Sequence, residues 1–171
     1  MLKTARLRLR SWVAADLEAL VRLADNPAVA RNLRDRFPSP YTLADGKAWI
    51  ELCAGELEQQ NWAIECDGEV VGGIGLALRG DVQRLSAEIG YWLGEPYWGR
   101  GIATEAVVLL SDHVLATRPL VRLDAYVFAW NEASARVLEK AGYVKEGVLR
   151  KAVVKGGAVC DAWVYARVTE G

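Results

Sequence analysis

The chain has 171 residues, 52% hydrophobic and 25% charged, with a formal net charge of −1 at pH 7. That length and apolar content suit a single domain with a proper core, and argue against a disordered or fibrous chain. The near-neutral balance offers no general attraction to nucleic acid or acidic membranes, and no apolar run is long enough to span a bilayer, so a cytoplasmic address is expected.

In chain order, Leu7 and Leu9 alternate with Arg6, Arg8 and Arg10, which predicts a half-buried strand with its arginines on a solvated face. Residues 14–24 carry Leu17, Leu20, Val21 and Ala24 at helical spacing. Asn26-Pro27 ends that helix and starts a short second one, with proline at its first position. Residues 34–41, with two prolines, form a loop. Thr42 and Asp45 resemble a capping box at the start of a helix reaching Gln59. Strands follow at 62–66 and 69–78, joined by Asp67-Gly68, a strong hairpin signal. A turn at 80–84 leads to a strand at 85–93, ended by Gly94-Glu95-Pro96. Then come a helix at 103–115, a strand at 121–128 and a helix at 132–140 closed by Ala141-Gly142. Strands at 144–154 and 158–168 about Gly156-Gly157 complete the chain. This order implies a mixed sheet with a parallel crossover between 85–93 and 121–128.

The crossover contains Tyr97-Trp98-Gly99-Arg100-Gly101-Ile102-Ala103-Thr104-Glu105. Two glycines at a strand-to-helix turn let backbone approach a ligand closely. The first N–H groups of the helix lack partners inside it and carry the positive end of its dipole. Together they make an anion site, most often one for phosphate. A dinucleotide fingerprint needs a third glycine where Thr104 sits, and no Gly-Lys-Ser/Thr closes a P-loop. A tight turn without a ligand is the alternative reading of the two glycines alone. Cys53, Cys66 and Cys160 are too widely spaced for a disulfide framework or a CxxC motif, and with His113 the single histidine no zinc site is expected.

Glu88-Ile89-Gly90-Tyr91-Trp92-Leu93 followed by Trp98-Gly99-Arg100-Gly101-Ile102-Ala103-Thr104-Glu105-Ala106, and later Asn131-x-x-Ser134 followed by Glu139-Lys140-x-Gly142-Tyr143, resemble the two signatures of the GNAT superfamily of N-acetyltransferases. The turn matches that family's pyrophosphate pattern Q/R-x-x-G-x-G/A at Gly101 and Ala103, and departs from it at Trp98. The similarity covers nearly the whole chain. It is closest to the branch containing ribosomal-protein-alanine (Rim-type) acetyltransferases, spermidine acetyltransferases and some antibiotic-modifying enzymes. The resemblance implies an α/β fold: an α+β mixed sheet, mostly antiparallel, with a parallel splayed pair at the acyl-CoA site, flanked by helices. It implies acetyl-CoA as co-substrate, an amine acceptor and no metal, and it admits a homodimer.

Site residues follow from the same resemblance. Backbone groups of Trp92, Leu93 and Gly94 would lie along the pantetheine arm, with an N–H near Trp92 polarising the thioester carbonyl. Gly99, Arg100, Gly101, Ala103 and Thr104 would present N–H groups to the pyrophosphate, and Asn131 would bond toward the cofactor, although N-capping alone also explains it. Glu88 lies thirteen residues before Gly101, near where several members carry a catalytic glutamate. A carboxylate inside a strand costs free energy unless paired or used, so Glu88 is either a general base or a salt-bridged strand residue. Many members protonate the leaving thiolate with a tyrosine whose position here is Leu138, so Ser134 or water serves instead. The acceptor expected is a peptide or protein N-terminus. An α-amine titrates near 7.7–8.0 and lysine near 10.4, so at about pH 7.5 the α-amine has the far larger neutral fraction. The alternatives are a polyamine or antibiotic acceptor, or a non-catalytic acyl-CoA-binding sensor.

Overall fold

Left-handed dipeptides set the two tight hairpins of the sheet. Asp67 and Gly68 have φ of 51° and 87°, and Gly156 and Gly157 have 56° and 80°, the signs a two-residue turn between twisted antiparallel strands requires. The computed structural model describes residues 1–58 and 60–169. Its strands are β1 (Leu2–Lys3), β2 (Leu7–Arg10), β3 (Asn61–Cys66), β4 (Glu69–Leu78), β5 (Ser86–Leu93), β6 (Arg122–Phe128), β7 (Val144–Lys155) and β8 (Ala158–Val168). Its helices are α1 (Leu17–Ala24), α2 (Pro27–Ala30), α3 (Leu43–Ala54), α4 (Ile102–Thr117) and α5 (Glu132–Lys140).

The predicted capping box is present at α3: Thr42 accepts from the Asp45 N–H while the Asp45 carboxylate accepts from the Thr42 N–H. That helix stops earlier than predicted, and the expected end at Gln59 lies outside the described residues. Gly55 follows its last turn, and the Glu56 carboxylate accepts from the N–H groups of Gln60 and Asn61 at 2.7 and 3.2 Å, turning the chain toward β3. Strand β1 is an addition to the sequence reading, too short to show a period. The stretch 14–16 is a single 3-10 turn leading into α1.

The eight strands form one sheet in the order β1-β2-β3-β4-β5-β6-β8-β7. Every neighbouring pair is antiparallel except β5 and β6. Helices α4 and α5 cover one face, burying Leu110, Val114 and Leu138 against Leu7, Ile64, Ile89 and Leu123. The other face carries a smaller cluster of Trp12, Leu20, Tyr41 and Val70, with Trp49, Phe37 and Trp92 against it. Among the described residues no helix is long and apolar enough to cross a membrane.

The parallel seam is short. Strands β5 and β6 pair only at Ser86–Arg122, Ala87–Leu123 and Glu88–Asp124, while β5 stays on β4 as far as Leu93 and β6 stays on β8 as far as Phe128. The sheet therefore forks after Glu88. Asp124, buried at the closed end of the fork, accepts two 2.7 Å bonds from Arg79 at the end of β4 and a 3.3 Å contact from Arg122. On the other side β5 is pressed onto β4, where a Cβ at Gly72 would lie 2.1 Å from the Trp92 carbonyl oxygen.

Candidate active site

Hydrogen-bond alternation along β5 decides which backbone groups face the fork. The Arg79 N–H donates to the Ser86 carbonyl at 3.2 Å and the Gly94 N–H to the Val71 carbonyl at 2.9 Å. In an antiparallel ladder such pairs recur at every second residue, so Trp92 directs its peptide groups to β4. Tyr91 and Leu93 direct theirs to the fork. The Trp92 N–H is therefore turned away from the fork, the N–H of Gly94 is already engaged with Val71, and the main-chain groups of β5 that face the fork here are those of Tyr91 and Leu93. The indole of Trp98 donates to the Leu93 carbonyl at 2.8 Å, which gives this departure from the family pattern a structural role.

Beyond the fork the chain turns into α4. Gly99 and Gly101 have φ of 73° and 75°, and Gly101 is the N-cap residue of the helix. A Cβ at Gly99 would meet nothing within 4 Å, so its backbone angle, and not crowding, calls for glycine. Ala103 and Thr104 occupy the first turn. The Arg100 guanidinium lies over the Tyr97 ring, 5.6 Å from its centroid. Its carbonyl accepts from Arg6 at 3.2 Å.

Side chains alternate across β5 as its peptides do. Glu88 and Trp92 share the face covered by the loop after α2. Glu88 is half-buried and ion-paired with Arg34 of that loop, the salt-bridged geometry that the sequence left open. Two further contacts tie the loop down: Asn32 accepts from the Trp130 indole at 3.2 Å, and Asp35 pairs with Lys155 at 2.7 Å. Beside the loop is a pocket of about 390 Å³ walled by Tyr126, Phe128, Leu149 and Val153, with Arg34, Asp35 and Lys155 also lining it.

Tyr91 points to the opposite face. Its hydroxyl lies 2.8 Å from the Ser134 hydroxyl and 3.2 Å from the Ser134 carbonyl. Burial pushes the Tyr91 phenol well above its ordinary range, and the bond to Ser134 only partly offsets this, so it remains a donor. A tyrosine has one proton to give. Either hydroxyl can donate across the 2.8 Å contact: with the Tyr91 proton on the Ser134 carbonyl the serine donates to Tyr91, and with it on Ser134 Oγ the serine's own proton is free to point elsewhere. Asn131 caps α5 by accepting from the Ser134 N–H at 3.2 Å. Leu138, at the position of the family's tyrosine, is fully buried in the core. The structure thus places Glu88 and Ser134 on opposite faces of one strand at the fork. Tyr91 and Arg34 are the members of this site that sequence reasoning missed. The period-2 alternation, which puts Tyr91 on the same side as Ile89 and Leu93, could have found the first.

Among the described residues no group of three or more His, Cys, Asp or Glu is arranged to hold a metal. Comparison with known proteins identifies the family. The acetyltransferase (GNAT) domain family matches residues 6–144. The uncharacterized N-acetyltransferase YoaA of Bacillus subtilis (strain 168) is 32% identical over 98% of this chain and 96% of its own length. The spermidine N(1)-acetyltransferase of Escherichia coli (strain K12) is 29% identical, over 84% of this chain and 75% of that one. Among solved structures, RimL, a ribosomal L7/L12 alpha-N-protein acetyltransferase in complex with coenzyme A, matches with a TM-score of 0.85 at 24% identity, covering 96% of this chain and 95% of that one.

Proposed function

The chain belongs to the GNAT acetyltransferase family and is an acyl-CoA-dependent N-acetyltransferase, and from that premise we propose that it moves the acetyl group of acetyl-CoA directly onto a peptide or protein α-amine. The observation that carries the reading is the fork, a three-pair seam that opens toward a glycine turn at the start of a sixteen-residue helix. The pantetheine arm lies along the edge of β5 and meets the peptide groups of Tyr91 and Leu93. The pyrophosphate rests on the turn from Gly99 to Thr104, where helix N–H groups and the dipole favour an anion.

The amine enters from the Glu88 face. Its nitrogen attacks the thioester carbon, the oxyanion is held by backbone N–H groups of β5, and the amine proton passes to Glu88 directly or through water. The carbon–sulfur bond then breaks away from the amine, toward the face where Tyr91 aims the Ser134 hydroxyl. Ser134 protonates the leaving thiolate and recovers its proton from solvent. An incoming ammonium competes with the Arg34 guanidinium for Glu88. No covalent enzyme intermediate is needed.

The pocket favours a single amine on an apolar body. A polyamine needs carboxylates spaced along its length, whereas among the described residues Asp35 is the one acidic group lining the pocket, and both it and Glu88 are paired with a cation. Thiol release from acetyl-CoA, measured with free and N-terminally blocked peptides, spermidine and aminoglycosides, tests the reading. Peptides with a free α-amine should turn over fastest. Efficient acetylation of lysine side chains in blocked peptides, with none at free α-amines, overturns it, and so does a clear preference for spermidine.

A further inference from the structure

The segment before β2 reaches across the sheet to the phosphate turn through two side chains. Thr4 hydrogen-bonds one oxygen of Glu105, in the first turn of α4. Arg6 Nε donates to the other Glu105 oxygen at 2.8 Å, and Arg6 Nη2 donates to the Arg100 carbonyl at 3.2 Å. One planar guanidinium thus grips the turn at two points separated by the left-handed Gly101. We infer that Arg6, with Thr4, is a positioning residue for acetyl-CoA: it sets the direction of the Gly101 N–H and removes the charge of Glu105 from the pyrophosphate site.

Two physical consequences support this. In a trans peptide the C=O and the following N–H point in opposite directions. Arg6 donates to the Arg100 oxygen, so the Gly101 N–H points away from the Arg6 guanidinium and is left free for a ligand on the other side of the turn. The second consequence is electrostatic. A carboxylate in the first turn stabilises the helix by itself but repels an anion bound at the same end. Burial works against the ionisation of Glu105, but the hydrogen bonds from Thr4 and Arg6 and the Arg6 charge outweigh it and hold Glu105 below the usual carboxylate range. Glu105 is therefore an anion at neutral pH, and Arg6 is its counter-charge. Lysine would keep that charge but, with a single ammonium, could not present a planar fork to the Glu105 carboxylate and the Arg100 carbonyl together.

The inference rests on the pyrophosphate docking at this turn, and donors with and without pyrophosphate separate the two. For acetyl-CoA, Arg6→Ala should lower kcat/KM about tenfold or more through KM, with kcat held, and Arg6→Lys should recover part of the loss. For acetyl-pantetheine, which has no pyrophosphate, Arg6→Ala should leave kcat/KM within about twofold of the unmodified enzyme. Thr4→Val repeats the comparison with a milder change should Arg6→Ala fold poorly. Equal losses with both donors would show a general structural role and overturn the inference, and so would no loss with either. Gly101→Val is the parallel arm. If it too leaves acetyl-CoA kinetics unchanged, the docking reading itself fails. If it weakens acetyl-CoA while Arg6→Ala does not, only the role of Arg6 is lost.

Discussion

Glu88 carries the sharpest test at the scale of single residues. Glu88→Gln keeps the size and one hydrogen bond to Arg34 but cannot take a proton, so kcat should fall about 100-fold or more while the KM for acetyl-CoA changes little. Steady-state kinetics between about pH 6 and 9 check this, and wild-type turnover throughout would make Glu88 a structural ion-pair partner. Cys53 provides a test of the non-covalent route. Burial, helped by the nearby Glu56 charge, pushes its thiol up to about 12. At pH 8 its thiolate fraction is then on the order of 10⁻⁴, against about a quarter for a free thiol. Alkylation of Cys53 at that pH should be about a thousandfold slower than for a free thiol, as peptide mapping would show. The sign for stability is fixed as well. The unfolded thiol ionises first, so stability falls as pH rises from about 8.5 toward the folded value. What the sequence concealed at this scale was partnership across long separations. Arg6, Arg8 and Arg10 suggest a solvated row, yet each meets a carboxylate, Arg6 at Glu105 and the other two at Glu65.

Element by element, the glycines of β4 and the ion pair at the fork do work that propensity alone does not announce. Gly72→Ala places a Cβ against the Trp92 carbonyl and the Leu93 backbone, an overpacking that should cost about 1–3 kcal/mol and push β5 toward the fork. Gly90→Ala, where a Cβ meets nothing within 4 Å, should change stability by less than about 0.5 kcal/mol. Denaturant melts of the pair decide it, and equal effects would remove the case for close packing. Arg79→Met leaves the buried Asp124 with only its longer contact to Arg122, and should cost about 3 kcal/mol. Element boundaries were legible where chemistry is local. The Asp67-Gly68 and Gly156-Gly157 turns, the Thr42 cap and the Asn131 cap all stand where the residue types place them. The end of α3 was not legible, because the Glu56 side chain that draws the chain out of helix acts on backbone groups beyond it.

For the molecule as a whole, the mixed sheet and its parallel crossover follow from the order of strand and helix patterns. The length of the crossover seam does not. It depends on how tightly β5 sits on β4, on the Arg79–Asp124 pair and on the reach of Tyr91 to α5, none of which leaves a period in the sequence. That seam also makes the sheet unevenly cooperative. Five strands lie on one side and three on the other, joined by three residue pairs. In hydrogen-exchange terms, the amides of Tyr91 and Leu93 should take up deuterium far faster than those of β3 and β4, which are paired along both edges. Coenzyme A, accepting from those amides, should slow residues 89–93 selectively. It should also act as a folding ligand, adding about 2.7 kcal/mol at a hundredfold excess over Kd. On the proposed docking, the donor would act as a ninth strand taken up and released with each turnover, so that the stability of the sheet would rise and fall with the acetyl-CoA supply.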